Sequence, residues 1–209
     1  MKFPKIHNFY EKYAIITPYY DSRGNFMRGK SHLRIAQYLV EHYMPGVPKH
    51  CQTAFRIGCI EPDRNPATYL KGSIRCQWLR GHNYQNARRF MRAIAARLER
   101  KEKLNLFDYY TLGKLIHYTT DAFTFAHNDT FPVQLKEHKA YEDALQEHFL
   151  RFMERNPKVE IPSAHTIMEA ISRYHEEYEQ AESNIHNDSR FALNACCCVL
   201  AILCLKPVF

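Results

Sequence analysis

Glycine is scarce in this chain, seven residues in 209, and with ten prolines it fills only a small share of the positions. That excludes collagen-like and Pro/Gly-rich low-complexity chains. No stretch alternates apolar and polar residues for long enough to build a sheet, and no internal repeat is present. Long apolar runs are missing too. The longest, Ala195 to Leu205, covers eleven positions and is too short to span a bilayer as a helix. The first twenty residues, MKFPKIHNFYEKYAIITPYY, have no apolar segment behind the first lysine, so no signal peptide and a cytoplasmic location are expected. Tryptophan occurs once, at position 78.

What is present suits one sizeable core. Hydrophobic residues make up 45% and charged residues 24%, which excludes a disordered chain and predicts a single domain over residues 1–209. The formal net charge of +7 favours anionic partners such as phosphates or an acidic membrane surface contacted peripherally. The excess is spread out, and its densest stretch, Arg88 to Lys103, reads as the solvated face of a helix. Nucleic acid is therefore not an expected partner. Seven cysteines is an odd number, and Cys196, Cys197 and Cys198 are consecutive within the apolar run. They suit buried, reduced thiols and a reducing compartment better than a disulfide framework.

Periodicity is helical almost throughout. Ser31 is a cap candidate for a helix reaching Tyr43, which Pro45-Gly46 stops. A second helix is expected over Cys51 to Gly58, followed by a loop through Pro62, Asn65 and Pro66. Further helices are predicted over Gly81–Lys101, Phe107–Ala126, Leu135–Arg155, Ser163–Asn184 and Asp188–Leu205, the last apolar on nearly all sides. The fold class is all-α: a compact multi-helix domain, with a metal cluster between helices if the histidines act as ligands.

Twelve histidines are many for this length, and the informative ones lie in LGKLIHYTTDAFTFAHND. His117 and Asp121 stand four apart, so on a helix they project from one face, and an imidazole and a carboxylate so placed can bind one metal ion. His127 lies ten residues beyond His117, about 15 Å along a continuous helix, and cannot share that ion. His138 and Glu142 in HKAYE repeat the four-residue spacing. If their helix packs antiparallel to its predecessor, His127, His138 and Glu142 can converge on a second ion. One such pair is often a surface ion pair. Two pairs on adjacent helices with a histidine between them form a stronger pattern. His7, His42, His50, His148, His165, His175 and His186 have no partner at useful spacing and read as surface or internally satisfied residues, His148 as a solvated helix flank.

These residues resemble the bacterial zinc-dependent phospholipases C. The family's motif, His-Tyr-x-(Gly or Thr)-Asp with a His six residues later, is met by His117, Tyr118, Thr120, Asp121 and His127. Its following His-x-x-x-Glu pair resembles His138, Tyr141 and Glu142. Upstream, GCIEPD (58–63) is similar to the loop bearing the family's metal-binding aspartate, here Asp63, while His82 and His32 stand where two further ligands are expected. The resemblance implies zinc as cofactor, a phospholipid or other phosphodiester as substrate, and a metal-activated hydroxide attacking phosphorus. It implies one zinc on Asp63, His82 and His117 with Asp121 bridging, a second on His127, His138 and Glu142, and a third on His32 and Asp121. Asp63 is then also the catalytic residue that accepts the proton of the attacking water.

The chain departs from the family pattern at the third zinc. There the family uses the amino group and carbonyl of a mature N-terminal Trp, whose position would fall within Tyr19 to Ser22. Asp21, Tyr19 and His7 lack the chelating geometry of an amino terminus. Two firmly bound zinc ions are therefore expected, with a third held weakly or not at all. Phe125 replaces a Pro of the motif, and Asn128 and Thr130 replace the usual residues after His127, changes that bear on rate and substrate more than on metal binding. The related S1/P1 nucleases usually close the ligand set with Asp, so Glu142 favours the phospholipase branch. Arg64 stands where the lipases often place an aromatic of the headgroup pocket, so a choline preference is not implied. The alternatives are a nuclease of that related type, or a zinc-stabilised, catalytically weak relative serving as a binding module.

Overall fold

A computed structural model describes residues 28–65, 82, 84–125, 135–155, 157, 159 and 163–204, with backbone alone for 28, 29, 135–139 and 142. Among these residues there are seven helices and no strand: α1 (Arg28–Tyr43), α2 (Lys49–Arg64), α3 (Tyr84–Glu99), α4 (Leu106–Ala122), α5 (Leu135–Glu154), α6 (Ile167–Gln180) and α7 (Ile185–Cys204). The all-α expectation holds.

Two helices carry the core. From Thr111 to Ala122, α4 is buried at every position but Lys114, and it packs on α1, α2, α3 and α7. In α7 an unbroken buried run extends from Phe191 to Ala201 and faces α1, α4, α5 and α6. At 20 residues α7 is long and apolar enough for a membrane span, contrary to the length read from its apolar run, but 72% of that window is buried inside the protein. Its length comes from polar residues before the apolar run: Ile185 to Asn194 are helical too. Cys196, Cys197 and Cys198 are all fully buried free thiols, as expected. In α3, Tyr84, Ala87, Met91, Ile94, Ala95 and Leu98 form the buried stripe, while Arg89 and Arg92 face solvent.

Helix boundaries differ from the sequence reading for local reasons. Ser31 lies inside α1 and does not cap it. α2 continues past Gly58 through Pro62, so Asp63 stands on the last helical turn rather than in a loop. Pro62 removes only one hydrogen bond there, and the helix stops two residues later. α6 begins at Ile167, not Ser163, because the Thr166 hydroxyl caps it by accepting from Glu169 N at 3.2 Å. α4 ends at Ala122 instead of Ala126: Thr124 Oγ1 donates to the Asp121 carbonyl at 2.9 Å, and Phe125 N–H turns to Asp188. A continuous helix therefore does not reach His127, which lies outside the described residues.

The start of α4 is fixed by a reciprocal cap. Asn105 Oδ1 accepts from Asp108 N, and Asp108 Oδ2 accepts from Asn105 N, both at 3.0 Å. Arg97 reaches Asp108 Oδ1 at 2.6 Å, tying α3 to α4. Burial alone would raise the Asp108 pKa; the Asn105 amide and the charges of Arg97 and Lys101 outweigh it and hold the group below its ordinary value.

Among the described residues, α2 and α4 share the most extensive helix contact, and their backbones touch at two glycines. A Cβ on Gly58 would fall on the Tyr110 carbonyl oxygen, and one on Gly113 on the Phe55 carbonyl oxygen. Both backbones need the missing side chain. Gly113→Ala should therefore force α2 and α4 apart and cost about 1–3 kcal/mol or more, whereas Gly46→Ala, where the new methyl meets nothing within 4 Å, should leave the denaturant midpoint almost unchanged. Equal midpoints for the two variants would contradict this packing.

His175 is internally satisfied, one of the two expectations, whereas His148 is less solvated than a helix flank. His175 is buried, stacked on Tyr84 with ring centroids 3.8 Å apart and packed against Phe123. Burial, aided by the charge of Arg88 and opposed by a hydrogen bond with the Ala122 backbone, pushes its pKa down to about 4. His148 is half-buried, and its Nδ1 meets Ser189 Oγ at 3.1 Å. His175 is thus neutral in the fold, while the unfolded chain takes up a proton near the ordinary value of about 6.5. Stability should fall as pH drops from about 6.5 toward 4 because the unfolded state binds the extra proton. His175→Gln should be less stable at pH 7 yet lose less on acidification, measured as denaturant midpoints across that range; parallel curves would contradict it.

Candidate metal centre

α1, α2 and α4 bring four of the expected residues together, and His82 joins as the fifth from the turn before α3. His32 is on the second turn of α1, Asp63 on the last turn of α2, and His117 and Asp121 one turn apart on α4. The glycine contact between α2 and α4 sets the separation of Asp63 from the α4 pair.

The distances define two overlapping groups. His82 Nδ1, His117 Nε2 and Asp121 Oδ2 form a triangle with sides of 3.0, 3.1 and 3.2 Å. His32 Nε2 is 3.3 Å from Asp121 Oδ1 and 3.8 Å from Asp63 Oδ2, while Asp63 Oδ1 is 3.6 Å from His82 Nδ1 and 3.7 Å from His117 Nε2. Asp121 thus presents one oxygen to His32 and the other to the His82–His117 pair. The His32 and His117 rings stack with centroids 4.0 Å apart. All five are largely shielded; the Asp63 side chain, 15% exposed, is the most open.

This donor set fits zinc. His117 Nδ1 lies 2.9 Å from the Cys59 carbonyl oxygen, which can only accept, so the ring proton sits on Nδ1 and Nε2 presents its lone pair to the cluster. The triangle's sides approach the ligand separation of about 3.4 Å that a tetrahedral zinc with bonds of 2.0–2.2 Å sets. Two carboxylates supply negative charge for a dication. Buried Asp63 Oδ2 has no hydrogen-bond partner among the described residues, a costly state that a bound cation would relieve. Burial disfavours protonation of His32, but hydrogen bonding to Asp121 and the charges of Asp121 and Asp63 outweigh it and raise its pKa.

The remaining expected ligands are not assembled by the described residues. His127 is outside them, and His138 and Glu142 are placed only as backbone on α5. Two neighbours of the site had no sequence signal: the Cys59 carbonyl, which orients His117, and Asp188, which accepts from Phe125 N at 2.9 Å. A main-chain acceptor and a partner 63 residues away leave no spacing to read.

Buried histidines and aspartates that converge between helices form groups that could hold a metal ion, as the cores of helical bundles often do. The sequence profile of zinc-dependent phospholipase C matches residues 31–197, and the chain belongs to that family. No curated protein and no solved structure matches the chain significantly.

If the cluster holds zinc, His117→Ala and Asp121→Ala should each lose at least one zinc per chain and lower the melting temperature, because metal affinity is coupled to folding. His165→Ala, at an exposed position just ahead of α6, should match the wild type in both. Elemental analysis after gel filtration checks this, and unchanged zinc in the α4 variants would refute it.

Proposed function

We propose that this chain hydrolyses the phosphodiester bond of a phospholipid, using zinc held at this centre. The observation that supports the reading is the convergence of His32, Asp63, His82, His117 and Asp121 in two groups, each with donor atoms within 4.8 Å of one another. Family membership supplies the substrate class. Zinc, when bound, would activate water at neutral pH and neutralise the phosphoryl oxygens.

The protein's own contributions follow from the geometry. His82, His117, Asp63 and Asp121 would hold one ion, and His32 with Asp121 would contribute to a second; by resemblance, His127, His138 and Glu142 would hold the remaining one. Asp63, the most open of the five and with Oδ2 free of hydrogen bonds among the described residues, accepts the proton from the attacking water. The hydrogen bond from His117 to Cys59 keeps that imidazole's lone pair directed inward during the reaction.

Metal-stripped and zinc-restored protein should be assayed on phosphatidylcholine and on bis(p-nitrophenyl) phosphate. Turnover should need zinc, and Asp63→Asn at saturating zinc should lower kcat by about 10²–10⁴. Bound zinc with no turnover of either substrate would favour the binding-module reading. Hydrolysis of nucleic acid without lipid turnover would favour the nuclease.

A further inference from the structure

A second buried carboxylate lies outside the cluster and ties together the segments around it. Asp188, in the first turn of α7, is fully buried. One oxygen, Oδ2, accepts from the Phe125 amide at 2.9 Å and from the Tyr141 hydroxyl at 2.5 Å. The other, Oδ1, accepts from the Tyr178 hydroxyl at 2.7 Å. Its own amide bonds to the Asn184 carbonyl, which fixes the carboxylate's base. Three donors offset the cost of burying the group. Apolar residues of the same shape would fill this space without that cost, so the carboxylate's use lies in what it joins.

A single oxygen atom joins the exit of α4 to α5. Phe125 is four residues beyond Asp121, and Tyr141 directly precedes Glu142 and follows His138 by three. The Phe125 and Tyr141 rings also meet edge to face, with centroids 5.8 Å apart. This link ties the exit of α4 to α5, a helix that otherwise packs on α1 and α7.

We propose that Asp188 is a positioning residue of the metal centre, fixing the α5 donors His138 and Glu142 against α4 through Tyr141. This rests on the reading of His138 and Glu142 as zinc ligands. Groups that orient ligands from behind typically change metal affinity by 10- to 100-fold, without touching the ion.

The hub offers its own control. Tyr141→Phe removes the link to α5, whereas Tyr178→Phe removes a buried hydroxyl from the same carboxylate but breaks only the link to α6. Both should fold and lose similar melting temperature. With the full chain, zinc release to a chelator and the visible spectrum of cobalt-substituted protein are recorded for wild type, both Tyr variants, Asp188→Asn and Glu142→Ala. Expected is a loss of about one zinc in Glu142→Ala. One zinc should be released about 10- to 100-fold more readily, with altered cobalt bands, in Tyr141→Phe and Asp188→Asn, and Tyr178→Phe should behave like the wild type. If Glu142→Ala loses zinc but Tyr141→Phe and Tyr178→Phe release it alike, Asp188 is only structural and the proposal falls. If Glu142→Ala keeps all its zinc, the α5 ligand reading fails first and takes the proposal with it.

Discussion

Two carboxylates and three imidazoles buried in one small space are the constraint on which the rest of the structure depends. Water reaches Asp121 hardly at all and Asp63 only in part, and the imidazole nitrogens face the carboxylate oxygens and one another at 3.0–3.8 Å. Such a group is stable only when protons or a cation occupy the centre. The fold supplies the rigidity this needs. Gly58 and Gly113 let the backbones of α2 and α4 touch, the Asn105–Asp108 cap fixes the start of α4, and the Cys59 carbonyl holds His117. Each of these acts on the helix that carries two of the five groups.

Much of this was legible in the sequence, for reasons of period and spacing. The 3.6-residue stripe of α3 and the apolar run of α7 identify buried faces directly, and His117 with Asp121 is a one-turn pair that any helix would align. Bringing His32, Asp63 and His82 to that pair is a tertiary fact, which entered through family resemblance rather than through local pattern. Pro62 misled the reading of α2, because a proline near the end of a helix costs too little to break it. The end of α4 was misplaced because it depends on Asp188, 63 residues beyond Phe125. His175 resembles any lone histidine until Tyr84 and Phe123 are seen to enclose it.

The structure also separates the two roles that acids play in this protein. Asp63 and Asp121 face imidazoles in the group that could hold a metal ion; Asp108 and Asp188 face amides, hydroxyls and an arginine and set helix positions. The buried thiols are a third population. Cys59 and Cys196 both flank α4 beneath the cluster, with Cys196 Sγ 3.5 Å from Thr120 Oγ1, next to Asp121 in the chain. Burial pushes both thiols above their ordinary range, as suits packed, protonated side chains.

That contrast defines the most direct test of the central claim. X-ray absorption at the zinc edge of the purified full chain reports the atoms bound to the metal. The account predicts only nitrogen and oxygen neighbours, at about 2.0–2.2 Å, with an imidazole signature. A sulfur shell near about 2.3 Å would mean that cysteines hold the zinc, and would contradict the assignment of the centre to the histidines and aspartates between α1, α2 and α4.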